Sequence, residues 1–311
     1  MKILITGIHG FVGSNLVATL RENHTIYGMD IISPIKEGVS FTFQWEELDR
    51  GSIPDVDAII HLAGKAHDTK NQADADVYFK VNTELTKKIY DYFLKSSARK
   101  FIFFSTAKAA ADKVDGVLTE DVVPAPVGPY GESKIKAEEY IQAHPTPDKQ
   151  VYILRPCMIH GPGNKGNLNL LYNVVKKGIP WPLGAYENRR TFTSIDNLSF
   201  VISWLLTKDV PSGIYNMGDD DPVSTNELVE LIAESLGKKA QIWKLPKGMM
   251  NGLAKVGGWL HLPLDPERLR KLTENYVSSN EKIKHALGIE RMPVKACGGL
   301  KMTLESFRRD G

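Results

Sequence analysis

Tyr130 and Lys134 stand four residues apart in Tyr130-Gly131-Glu132-Ser133-Lys134, directly after Gly128-Pro129, a pair suited to the start of a helix. At that spacing the phenol and the ammonium share one helical face and can act on a single ligand. A free phenol titrates at about 10, so it serves as a base at neutral pH only where positive charge favours the phenolate. Lys134 would supply that charge. Such a tyrosine can take a proton from an alcohol while hydride leaves the same carbon, or give one back to a ketone. Ser105 and Thr106 close the apolar run Phe101-Ile102-Phe103-Phe104, and a hydroxyl there can hydrogen-bond the reacting oxygen and help pass its proton.

Hydride transfer needs a carrier, and the N-terminal residues offer a seat for one. Gly7-Ile8-His9-Gly10-Phe11-Val12-Gly13 joins a short apolar run to the helical pattern Phe11–Leu20. Its glycines fall where a tight turn, close approach to a pyrophosphate and helix-to-strand packing each exclude a side chain. The unpaired amides of that helix start, together with its dipole, favour an anion. Gly7, Gly10, Phe11, Val12 and Gly13 are therefore expected contacts of a dinucleotide. Asp30 follows the glycines by about 20 residues, where a carboxylate can accept both hydroxyl hydrogens of the adenosine ribose. It favours NAD, because a 2′-phosphate would meet a carboxylate and the nearest following cation is Lys36.

Apolar runs at 3–6, 25–30, 41–45, 58–62, 101–105 and 151–155 read as strands, with helical patterns between several of them and at 130–143. This alternation predicts an α/β fold of the Rossmann type, a doubly wound parallel sheet with a smaller C-terminal α/β lobe. Residues 1–160 form the expected NAD-binding domain. From 161 to 311 the periodicity weakens and Pro, Gly, Asn and Trp accumulate, which predicts a mainly substrate-binding lobe with some segments returning to the sheet. A chain of 311 residues can bury both. Its net charge of +2, without long blocks of one sign, points away from nucleic acid. Cys157 and Cys297 read as reduced thiols, and no metal cluster is expected. The strand-like N-terminus leaves no room for a signal peptide, so the expected location is cytoplasmic. The apolar stretch 249–262 falls short of the roughly 20 residues that span a bilayer; it reads as a lobe helix or as a helix on a membrane surface.

In order and spacing the chain resembles the extended short-chain dehydrogenase/reductases, specifically the NAD-dependent epimerase/dehydratase family. The likeness rests on GIHGFVG at 7–13, Asp30, Leu48-Asp49, HLAG at 61–64, VNTELT at 81–86, FFST at 103–106 and YGESK at 130–134. It continues through LRPCMIHGPG at 154–163 and NRRTFTSIDNL at 188–198. The resemblance implies that Thr106, Tyr130 and Lys134 are catalytic, with Lys134 also holding the nicotinamide ribose. It further implies that Asp49 contacts adenine, that Leu62, Ala63 and Gly64 line the pyrophosphate, and that Asn82, Ser105 and Pro156 complete the cofactor side. On the substrate side it implies Thr106, Tyr130, Met158, Asn167 and Arg190, with Arg268 or Arg270 as a second positive group. Arg190 would face the diphosphate of a nucleotide-sugar, UDP-linked in this expectation. A homodimer built from the helices at 76–95 and 130–143 is implied as well.

The departures narrow the reaction. Ala107-Lys108-Ala109 follows Thr106 where sugar 4,6-dehydratases carry an Asp-Glu pair, and dehydration needs that acid and base. Ala109-Ala110-Ala111 replaces the usual Val-Tyr-Gly, and Met158 stands where many members have Asn. Epimerisation at C4 through a 4-keto sugar, and reduction of a 4-keto sugar made elsewhere, remain as alternatives. The stretches 161–171 and 179–190 resemble bacterial members that make amino sugars for surface polysaccharides. A non-catalytic NAD-binding redox sensor and a dehydrogenase of a small non-nucleotide alcohol or ketone are the readings from other classes.

Overall fold

The computed structural model describes residues 1–65, 74–164, 166–259 and 264–309. Its strands in chain order are β1 (Lys2–Thr6), β2 (Thr25–Met29), β3 (Phe41–Phe43), β4 (Ala58–His61), β5 (Lys100–Phe104), β6 (Val117–Leu118), β7 (Gln150–Pro156), β8 (Met158–His160), β9 (Phe192–Ser194), β10 (Gly213–Met217) and β11 (Val277–Ser278). Seven of them form one parallel sheet in the order β3-β2-β1-β4-β5-β7-β10, and β6–β11 and β8–β9 pair separately. Strands such as β1 and β5 are apolar almost throughout because both faces are covered. Leu4 faces one layer with Ile59, Phe101, Phe103, Phe93 and Ile141, while Ile3 and Ile5 face the other with Leu16, Leu20, Leu198 and Val201. The strand order reverses between β1 and β4, and at such a switch point the loops leaving the strands open a crevice.

The helices Phe11–Leu20, Ile195–Thr207 and Glu281–Leu287 cover one face, and Leu85–Lys95 with Pro129–Ala143 the other. The expected helix at 76–95 is a continuous helical run that widens into a π segment at Phe79–Glu84. A second core, with Leu168, Tyr172, Trp181, Leu228, Ile232 and Leu304, gathers the lobe helices Asn167–Lys176, Thr225–Ser235, Lys247–Trp259, Pro266–Thr273 and Ala296–Arg309. The chain moves between the two cores repeatedly: β8 and β9 lead to the lobe, and β10 then returns to pair with β7 at the sheet edge. Buried Asp219 pins this return. It accepts from the Ser194 hydroxyl at 3.0 Å and from Asn197 Nδ2 at 2.7 Å, closing the start of the helix Ile195–Thr207. The expected strand at 41–45 ends at Phe43, because Trp45 caps the short helix Glu46–Arg50.

Candidate active site

Gly7 has φ +69°, and a Cβ there would meet Ala63 N at 2.9 Å; a Cβ on Gly13 would lie 2.5 Å from Gly7 O. The loop therefore admits no side chain at either position. Gly10 begins the helix Phe11–Leu20 without any side-chain cap, leaving the amides of its first turn for an external acceptor. Asp30, just past β2, braces the loop: Oδ2 accepts from His9 N at 3.0 Å and Oδ1 from Ile31 N at 2.8 Å. A carboxylate has about four acceptor sites, so two remain for ribose hydroxyls. Lys36 donates instead to Ser14 at 2.9 Å. Asp49 lies on the exposed side of the helix Glu46–Arg50, where its carboxylate accepts from Lys88 on the helix Leu85–Lys95 at 2.6 Å.

Leu62, Ala63 and Gly64 leave the end of β4 beside the glycine loop. Ala63 N donates to Thr6 Oγ1 at 3.1 Å, and that hydroxyl lies 2.7 Å from His61 Nδ1. The other imidazole nitrogen meets Thr86 Oγ1 at 2.9 Å. Burial, with Lys134 nearby, pulls His61 down to about 3, so the ring is neutral. Asn82 sits in the π segment, a backbone form often found at functional sites. Its Oδ1 accepts from Lys65 N at 2.7 Å, while Nδ2 donates to Lys65 O at 3.1 Å and to Ser133 Oγ at 3.0 Å. The carboxamide thus ties the turn after β4 to the helix Pro129–Ala143.

Lys134 enters this crevice from below. Its Nζ donates to Phe104 O at 2.8 Å, and a Cβ on Gly64 would come within 3.0 Å of it. Burial draws the ammonium down to about 8, against the opposing pull of Glu138. The Tyr130 phenol is raised by burial and lowered by its hydrogen bond with Thr106, with Tyr78 raising it further. Thr106 also caps the helix Ala107–Ala110. Its hydroxyl thus lies on the reacting side, and Ser105 does not. Ser105 Oγ donates to buried Glu138, whose two oxygens each take Arg155 Nε at 3.1 Å.

Across the crevice, Arg190 donates from Nη1 to Lys271 O at 3.0 Å, and burial lowers its pKa, opposed by Glu274. Beside it Lys108 Nζ bonds Asp112 Oδ1 at 3.0 Å and stands 4.7 Å over the Tyr276 ring. Arg270 joins Asp112 at 3.4 Å and Glu274 at 2.6 Å. Arg270 thus stands with Arg190 and Lys108 in this group. Arg268 pairs with Asp265 on the exposed side of the same helix. Asn167 is exposed at the first turn of its helix. Met158 opens β8 and packs on the lobe core, and Pro156 ends β7 opposite Met217. Cys157 lies between them, its thiol pushed up to about 12 by burial despite a hydrogen bond with Ser278.

The sequence model of the NAD dependent epimerase/dehydratase family matches residues 3–218. The chain belongs to this family. A UDP-glucose 4-epimerase of Vibrio cholerae is 31% identical over 262 residues, spanning 79% of this chain and 78% of that protein. An N-acetyl-alpha-D-glucosaminyl-diphospho-ditrans,octacis-undecaprenol 4-epimerase of Escherichia coli O157:H7 is 27% identical over 275 residues, 83% and 81% of the two chains. Among solved structures, MoeE5 in complex with UDP-glucuronic acid and NAD shares the fold with a TM-score of 0.78 and 21% identity over 100% of both chains. Within this epimerase/dehydratase framework, sequence reasoning overlooked Glu138, Arg155, Ser133 and the Asp112 that Arg270 and Lys108 share. Glu138 lies one turn beyond Lys134 on the same face, and Arg155 interrupts an apolar strand; both were available signals.

Proposed function

We propose that this member of the family is an NAD-dependent nucleotide-sugar enzyme exchanging hydride at C4 of a UDP-hexose or UDP-amino sugar, as a 4-epimerase or a 4-ketoreductase. The observation that carries the reading is the grouping of Thr106, Tyr130 and the buried Lys134 amine against Gly64, at the point where the strand order reverses. The glycine loop, which a Cβ at Gly7 or Gly13 would fill, and Asp30 suit NAD. When bound, its oxidised nicotinamide accepts hydride from the sugar carbon and adds positive charge that favours phenolate. Tyr130 then takes the proton of the 4-hydroxyl, or returns one to the 4-ketone, with Thr106 bridging the oxygen. Lys134 steadies the phenolate by charge, and Arg190 with Arg270 offers planar forks to a diphosphate.

Dehydration is disfavoured, since Ala107 and Lys108, directly after Thr106, provide no carboxyl and the nearby Asp112 is engaged by Lys108. The reading includes a homodimer and a place in surface polysaccharide synthesis, the latter on the character of 161–171 and 179–190. Purified protein should be assayed for bound NAD(H), then given UDP-glucose and UDP-N-acetylglucosamine. Retained cofactor with interconversion of C4 epimers identifies the epimerase. An emptied protein that oxidises NADH only with a UDP-4-keto sugar identifies the reductase, and no response to any nucleotide-sugar rejects the substrate class.

A further inference from the structure

The helix Lys247–Trp259 buries only part of its apolar surface. Met250, Ala254 and Gly257 face the lobe, whereas Met249, Leu253, Val256 and Trp259 are 44%, 52%, 52% and 79% exposed. The first three, spaced four and three residues apart, stack along one face, and Trp259 follows at its edge. Trp243, in the segment leading into the helix, is 54% exposed. Single exposed apolar residues are ordinary, but a stripe of this kind marks an interaction surface. The charge along this segment has one sign, while the helix packed against it sets Asp265 and Glu267 beside Arg268, Arg270 and Lys271. Residues 238–264 contain Lys238, Lys239, Lys244, Lys247 and Lys255 and neither Asp nor Glu, in a chain whose whole excess is +2.

We propose that this helix seats the protein on an anionic lipid surface. Its apolar stripe enters the boundary between headgroups and acyl chains, the two tryptophans take the interfacial level, and the lysines meet lipid phosphates. At about 1.5 Å per residue the helix is roughly 20 Å long, too short to cross a bilayer, so it lies in the plane. No helix among the described residues is long and apolar enough to cross a membrane. A second copy of the chain would carry the same lysines to the contact and be repelled there, which favours an anionic partner. The neighbouring helix Pro266–Thr273 bears Arg270, so docking holds the diphosphate side of the crevice close to the headgroups.

The test is flotation of the full chain with vesicles of phosphatidylglycerol and phosphatidylcholine, beside vesicles of phosphatidylcholine alone. Binding to the anionic vesicles is expected, about tenfold weaker on neutral ones or in high salt. Leu253→Ser, Val256→Ser and Trp259→Ser combined should abolish it while leaving thermal unfolding and hydride exchange unchanged. Lys239→Glu with Lys244→Glu should weaken it without touching the stripe. Failure of the wild type to float, or equal flotation of the triple variant, overturns the proposal. So does a triple variant that changes only the sedimentation coefficient, which would make the stripe a contact between copies.

Discussion

Tyr130 and Thr106 share a hydrogen bond, yet burial holds the phenol above its ordinary value, so the proposed role as a base has to draw on charge brought by Lys134 and the cofactor. Tyr130→Phe should keep the ring and the fold but lower turnover about 10²–10⁴-fold, with NAD(H) content unchanged, as steady-state rates beside cofactor extraction would report. Below this pair, Glu138→Ala would strand Arg155 without its buried counter-charge. The expected loss is about 3–5 kcal/mol in urea unfolding, far more than a surface ion pair is worth. His61 gives the pH dependence. The folded chain keeps it neutral down to about 3, whereas its ordinary value is 6.5. The unfolded chain therefore binds the extra proton between those values, and stability declines as pH falls below 6.5. His61→Gln should flatten that acid limb in thermal melts at a series of pH values. The sequence disclosed Tyr130, Lys134 and the glycines because their spacing is itself the geometry. The partners of Asp49, Asn82 and Ser105 were not legible, because each lies elsewhere in the chain: Lys88, the 62–65 loop with Ser133, and Glu138.

Among the elements, the crossing of the Gly7–Gly13 loop with the turn after β4 decides whether a dinucleotide can lie there. Gly13→Ala would force its Cβ to 2.5 Å from Gly7 O, backbone that cannot swing aside, and should remove retained NAD(H) while the second lobe keeps its structure. Extraction of the purified variant and assay of both NAD and NADH in the extract read this directly. The long parallel strands were legible from apolar runs because burial on both faces leaves no alternation to misread. The pairs β6–β11 and β8–β9 were not, since two or three residues carry no period. The π segment at Phe79–Glu84 was equally hidden: nothing in Val81-Asn82-Thr83 departs from an ordinary helix, and the widening is fixed by what Asn82 must hold.

At the scale of the molecule, the outer faces of Leu85–Lys95 and Pro129–Ala143 expose polar groups such as Lys88, Glu132, Lys136 and Glu139 and no large apolar side chain. A dimer through these helices should thus be sensitive to salt, and sedimentation at low and high ionic strength tests it; a dimer indifferent to salt places the contact elsewhere. The return of β10 to β7 has a different consequence, for anyone who would cut the gene. A product ending near residue 160 matches the boundary that the sequence suggests, yet it deprives β7 of its neighbour and strips Leu198, Val201 and Leu205 from the sheet. It would leave a long bare edge able to recruit other chains. Because β10 and the helix Ile195–Thr207 belong to the sheet, fusions or lobe exchanges built on that junction should aggregate rather than yield new specificities, as size-exclusion profiles of the truncated chain would report.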